Sequence, residues 1–166
     1  KAQSPLKPPQ KPIWITGGGG ALGLQTARWL RRLWPKVPLV LLSRHLKLEA
    51  AIAQELAPVF QVQMDVSQAE AVEEWAKKLP PGGVIHAAGV VEDEPLHRLT
   101  PEGWKRVLDP KVQGAWNLHT FCKNLDFFVM YSSAASLFGT EGQGAYAMAN
   151  AAMEALADLR KAQGLP

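Results

Sequence analysis

The stretch Ile13-Trp14-Ile15-Thr16-Gly17-Gly18-Gly19-Gly20-Ala21-Leu22-Gly23 decides the fold. Ile13–Thr16 is a short apolar run of strand length, bounded by glycine. Beyond the glycines, Leu22, Ala27, Leu30 and Leu33 recur at helical spacing. Gly18, Gly20 and Gly23 fit G-x-G-x-x-G between that strand and that helix, the context in which the pattern carries information. Gly18 is expected to permit the tight turn, Gly20 the close approach of a ligand to backbone, and Gly23 close packing of helix on strand.

Outward from this unit the pattern repeats. Strands are predicted over 37–43, 59–66, 83–89 and 126–133, alternating with helices over 48–57, 67–79, 101–124 and 144–163. Ser67 with Glu70 reads as a capping box. Thr100 with Pro101 opens the long helix, and Pro110 is expected to bend it. Alternating strands and helices mean βαβ units, hence an α/β doubly wound Rossmann-type parallel sheet with helices on both faces. Residues 1–12, with prolines at 5, 8, 9 and 12, read as a linker, and 13–166 as one domain whose last strands are missing. The length of 166 residues suits one domain. Charged residues at 20% and apolar ones at 47% argue against a disordered chain. A single cysteine, Cys122, excludes an internal disulfide and a cysteine-based zinc site, and favours a reducing, cytoplasmic setting. No metal is expected. No apolar run reaches membrane-spanning length, and a net charge of +3, scattered, argues against nucleic acid as the main partner.

A glycine turn opening a helix binds phosphate, because the first helical amides and the helix dipole both point at the anion. Thr16, Gly18, Gly19, Gly20, Ala21, Leu22 and Gly23 are therefore the expected cradle of a dinucleotide. Where NAD-binding proteins place an acid for the ribose hydroxyls, the second strand ends in Ser43-Arg44, a pair suited to a 2′-phosphate. This favours NADPH. Asp65, followed by Val66, either accepts from the adenine amino group or caps the next helix. His86-Ala87-Ala88-Gly89 supplies the wall where cofactor lies close to the sheet.

Hydride transfer to a carbonyl needs a proton donor for the oxygen. The fifth strand ends in Ser132-Ser133, and Tyr146 follows thirteen residues after Ser133, one turn before Asn150. A free tyrosine titrates near pH ~10, too high for acid–base work near neutrality, and a neighbouring cation lowers it. Lys111 on the preceding helix is the cation expected to do so, with Asn150 holding the lysine or a water. Each has a plain alternative: a packed tyrosine, serines capping a turn, a surface lysine, and an asparagine bonded to its own helix. Their joint occurrence behind the glycine turn favours catalysis.

TGGGGALG (16–23), SR (43–44), MDV (64–66), HAAGV (86–90), PKVQGAWNL (110–118) and YSSAASLFGTEGQGAYAMANAAMEALA (131–157) resemble the ketoreductase domain of modular type I polyketide synthases, within the short-chain dehydrogenase/reductases. The resemblance covers 13–166. It implies that Tyr146 donates the proton, Ser133 orients the carbonyl, and Lys111 and Asn150 complete the set. Asn150 stands where common short-chain dehydrogenases carry lysine. It further implies NADPH-dependent reduction of a β-ketoacyl thioester carried on the phosphopantetheine arm of an acyl carrier protein, within a polypeptide holding other synthase domains. The stretch Val91-Glu92-Asp93 keeps only the last aspartate of the LDD-type motif, and Phe138 stands where the A-type class has tryptophan, so B-type stereochemistry is expected. Two rival readings are a non-catalytic docking module of a synthase and a free-standing short-chain dehydrogenase.

Overall fold

The computed structural model describes residues 7–45 and 47–166. Residues 1–6 of the expected linker lie outside them. Pro9, within its remainder, is buried, and the Pro12 carbonyl accepts from Gly82 N–H at 2.8 Å.

Five parallel strands form one sheet in the order β3-β2-β1-β4-β5: β1 (Ile13–Thr16), β2 (Leu39–Ser43), β3 (Val59–Gln63), β4 (Gly83–His86) and β5 (Phe127–Met130). β1 and β4 are neighbours in register, Thr16 beside His86. The chain runs outward in one direction from β1 and in the other from β4. The crevice beyond their carboxyl ends is therefore the topological switch point, where open α/β sheets bind ligands.

Side-chain alternation feeds two cores. Ile13, Ile15, Leu39 and Leu41 pack against Ala27 and Leu30 of α1 (Ala21–Leu33), with Ile52 of α2 (Ala50–Glu55) beside them. On the other face Trp14, Val40, Leu42 and Val84 pack with Val72 of α3 (Ala69–Lys78) and with Leu118. Cys122 joins this second core, and burial pushes its thiol up to about 12, so it packs as an apolar residue.

The structure departs from the sequence reading at identifiable points. The strands end three residues earlier than the expected 59–66, 83–89 and 126–133, because the freed carboxyl-end residues turn outward to line the crevice. Ser67 is not a helix cap. Gln68 takes that position without a side-chain bond, while the Ser67 amide and hydroxyl both donate to Asp65 Oδ1, at 2.9 and 2.8 Å.

The expected long helix is three pieces: α4 (Pro101–Leu108), a π turn (Asp109–Gln113) and α5 (Gly114–Phe121). Thr100 does cap α4, accepting from Gly103 N–H at 3.1 Å. Pro110 has no amide to give the α-helical ladder, and the Gly114 amide reaches back to Asp109, five residues away. A short helix missing from the reading, α6 (Ala135–Phe138), precedes α7 (Gly144–Ala162).

Candidate active site

The glycine turn closes tightly. Gly17, not Gly18, takes the left-handed conformation, at φ +66°, and a Cβ there would sit 2.6 Å from the Ala87 carbonyl oxygen. Gly18 is tight for a different reason: a Cβ would stand 2.7 Å from Leu41 Cβ. At Gly23 it would reach the Gly17 oxygen at 2.4 Å, so this glycine folds the helix onto the turn. The first amides of α1 precede any intrahelical acceptor, and no side chain caps them. This cradle of bare backbone fits a pyrophosphate.

A groove continues from the turn across the carboxyl ends of β2 and β3. Thr16, Ser43, Arg44, Asp65, Val66 and Ala88 line it. Arg44 is exposed and Ser43 half-buried at its rim. Asp65 lies in the wall with one oxygen spent on the Ser67 turn. Behind the wall, buried Asn117 donates to the Val66 carbonyl at 3.0 Å. The sequence reading did not single out Asn117; a buried amide on an otherwise apolar helix face is the signal that marks it.

A second pocket opens on the same side of the sheet. Leu22, Ala87, Gly89, Lys111, Tyr131 and Tyr146 line it. Lys111 is 5% exposed. Its Nζ donates to Asn150 Oδ1 at 2.9 Å and to the Tyr131 carbonyl at 3.1 Å, and lies 5.2 Å from the centre of the Tyr146 ring. Three separate elements thus meet: the π turn, the end of β5, and α7. Asn150, wholly buried, also donates to the Tyr146 carbonyl at 2.8 Å. It is bonded to its own helix and holds the lysine at once.

Burial pulls the Lys111 ammonium down to about 8. It remains mainly cationic at neutrality. Gly89 leaves room for its stem, since a Cβ there would stand 2.9 Å from Lys111 Cε.

The two serines part company. Ser132 donates to Glu154, which also accepts from Ser136 at 2.7 Å and is held below the usual carboxylate range by these two bonds. Ser133 Oγ instead accepts from Ala135 N–H at 3.2 Å, and its own proton has no acceptor among the described residues. Tyr131 was not anticipated either. Its contribution is a backbone carbonyl, which no residue identity announces.

Ser132 rather than Ser133 borders the second pocket, and His86, Asp93 and Phe138 are among the expected residues that line neither. The His86 ring is 1% exposed, with one nitrogen 2.7 Å from Thr16 Oγ1 and the other 2.9 Å from the Lys111 carbonyl. It offers no side-chain surface to a cofactor, which corrects its placement in the cofactor wall; Ala87, Ala88 and Gly89 do border the pockets. Asp93 is exposed and accepts from Gln143 at 2.8 Å, tying its loop to the segment before α7. Phe138 is 81% exposed at the end of α6.

A parallel sheet with this strand order, a glycine turn at its switch point and a Lys–Asn–Tyr cluster beside it define a Rossmann-like fold of the short-chain dehydrogenase/reductase type. The KR domain family model matches residues 12–166, and the chain belongs to that family. Polyketide synthase GfsE of Streptomyces halstedii is 43% identical over 95% of this chain. Phenolphthiocerol synthesis polyketide synthase type I Pks15/1 of Mycobacterium marinum is 40% identical over 92%. The chain spans only 4% and 8% of those two proteins. Among solved structures, the first ketoreductase of the tylosin PKS superposes with a TM-score of 0.86 at 39% identity, covering 99% of this chain and 38% of that one. A ketoreductase from the macrolactin assembly line gives 0.87 at 30% identity, covering 96% and 36%.

The buried lysine has a consequence for stability. Its folded value of about 8 lies below the ordinary 10.5, so between those pH values the unfolded chain binds more protons than the folded one. Stability at this position therefore rises with pH through that window, and the cost of burying the charge is fully present below it. Urea midpoints at pH 7 and 9.5 are expected to show a larger upward increment in the wild type than in Lys111→Met. Equal increments would contradict the buried ammonium.

Proposed function

We propose that the chain carries the cofactor site and catalytic residues of an NADPH-dependent ketoreductase that reduces a β-ketoacyl thioester to the β-hydroxyacyl thioester. One observation carries this reading: the Lys111 ammonium lies beside the Tyr146 ring, held by Asn150, next to a bare-backbone phosphate turn.

The turn from Gly17 to Gly23 and the first amides of α1 would hold the pyrophosphate. Ser43 and Arg44 would take the 2′-phosphate at the groove rim, where a carboxylate would otherwise select NADH. When bound, the nicotinamide supplies the hydride to the carbonyl carbon. The protein's part is the oxygen. Tyr146 donates its phenolic proton to the oxygen as charge develops there, completing the alcohol. The ammonium of Lys111 stabilises the phenolate left behind, and Asn150 keeps that ammonium in place. Ser133, whose hydroxyl proton is uncommitted, donates to the same oxygen and orients it. Ser132 is already engaged with Glu154.

The similarity to polyketide synthases, of which this chain matches a small part, supports a carrier-bound substrate. An acyl carrier protein bearing a β-ketoacyl-phosphopantetheine is the partner, alongside other synthase domains in a cytoplasmic assembly. Among the described residues no helix is long and apolar enough to cross a membrane. The aspartate kept at position 93, with Phe138 in place of tryptophan, supports a B-type product on sequence grounds.

Tyr146→Phe is expected to lower kcat at least ~100-fold with NADPH binding retained, read by NADPH oxidation and by cofactor fluorescence. Unchanged turnover would remove Tyr146 as the acid, and absent NADPH binding by the wild type would favour a docking module. Loss of charge-assisted bonds in Arg44→Ala should weaken NADPH binding about 10- to 100-fold while leaving NADH nearly unaffected. Equal loss for both cofactors would place Arg44 outside the phosphate site.

A further inference from the structure

Among the described residues, His86 is the buried titratable side chain near the site that the reaction does not use. Its two nitrogens join the two halves of the site. Nε2 faces the Lys111 carbonyl at 2.9 Å, and a carbonyl only accepts, so Nε2 carries a proton. Nδ1 faces Thr16 Oγ1 at 2.7 Å, and that oxygen also accepts from the Ala88 amide at 3.2 Å. With one ring proton on Nε2, Nδ1 is the acceptor and the Thr16 hydroxyl the donor. Every polar atom in this chain of bonds then has a partner, whereas a charged imidazole would leave the Thr16 hydroxyl proton with no acceptor among the described residues.

Packing enforces the same state. Burial pulls the imidazole down to about 4, with Lys111 as the nearby charge. Gly114, at the exit of the π turn, lets the ring approach, since a Cβ there would lie 3.1 Å from His86 Cε1. Thr16 ends β1 directly before the phosphate turn, and Lys111 stands inside the π turn. The π geometry places the Lys111 carbonyl where it receives both the Gly114 amide and the histidine.

We propose that His86 is a positioning residue whose neutral, Nε2-protonated ring ties the Lys111 backbone to the hydroxyl of Thr16, so that the phosphate turn and the lysine beside Tyr146 are set as one unit. The ring touches neither substrate nor cofactor and acts through Lys111. The proposal rests on the ketoreductase reading for its effect on turnover, while the tautomer and the bonds stand apart from that reading.

The test has two arms, both on the full chain. In the first, ¹⁵N-labelled histidine is followed by NMR without cofactor from pH 5.5 to 8. His86 is expected to hold the Nε2–H tautomer across the range; an Nδ1–H tautomer, or titration near the ordinary value, would overturn the proposal. The second arm compares His86→Leu with His86→Gln, whose amide N–H reaches about as far as Nε2. The leucine variant should lose about 10- to 100-fold in kcat with KM for NADPH within twofold, as expected when a reacting group is displaced by about an ångström. The glutamine variant should recover most of that loss. Equal losses in both, or a loss confined to KM, would overturn the positioning role. If the wild type shows no ketoreductase turnover, the functional reading fails, and the NMR arm still decides the bonds of His86. Should the leucine variant fail to fold, the NMR arm and the glutamine variant decide.

Discussion

An ammonium withdrawn from water needs oxygen atoms around it, and the fold gathers them for Lys111 from separate elements. The Tyr131 carbonyl comes from the end of β5, the Asn150 amide oxygen from α7, and the lysine itself from the π turn. The strand end and the π turn are local irregularities, while α7 is regular. β5 stops at Met130, which turns the next carbonyl away from the sheet ladder. Pro110 breaks the α-helical ladder, and the wider turn carries Lys111 inward. Gly89 leaves space for the stem. A regular helix through 101–124 would give none of this, because its lysine at 111 would follow the ordinary 3.6-residue period.

The sheet supplies the other constraint. With the order β3-β2-β1-β4-β5, the carboxyl ends of β1 and β4 diverge into one crevice, and both pockets open from it. Thr16 and His86 are partners in that register, so the glycine turn after β1 and the segment after β4 share one origin. The groove along β2 and β3 and the Lys–Tyr cluster are two ends of a single feature.

Much of this was legible in the residues. The glycine turn, the strand–helix alternation and the Thr100 cap each rest on local backbone chemistry, and the structure has them where local chemistry puts them. The meeting of Lys111, Asn150 and Tyr146 was legible too, because a phenol that works near neutrality needs a cation beside it; the burial of that cation was not. What escaped was three-dimensional accounting. Gly17 rather than Gly18 holds the left-handed turn because β4 ends against it, a contact 70 residues away in sequence. Ser67 looks like a cap until Asp65 claims both its donors. His86 looks like part of a cofactor wall until the register places it behind Thr16. The carbonyl of Tyr131 carries no identity to read at all.

The chain belongs to the KR domain family and matches a small portion of its polyketide synthase relatives. The account depends on a cation kept beside the phenol in a dry place. Direct titration of the Lys111 side chain, by ¹³Cε or ¹⁵Nζ NMR on selectively labelled protein, tests this most plainly. The account predicts a midpoint of about 8. A midpoint at the ordinary solvent-exposed value near 10.5 would contradict it.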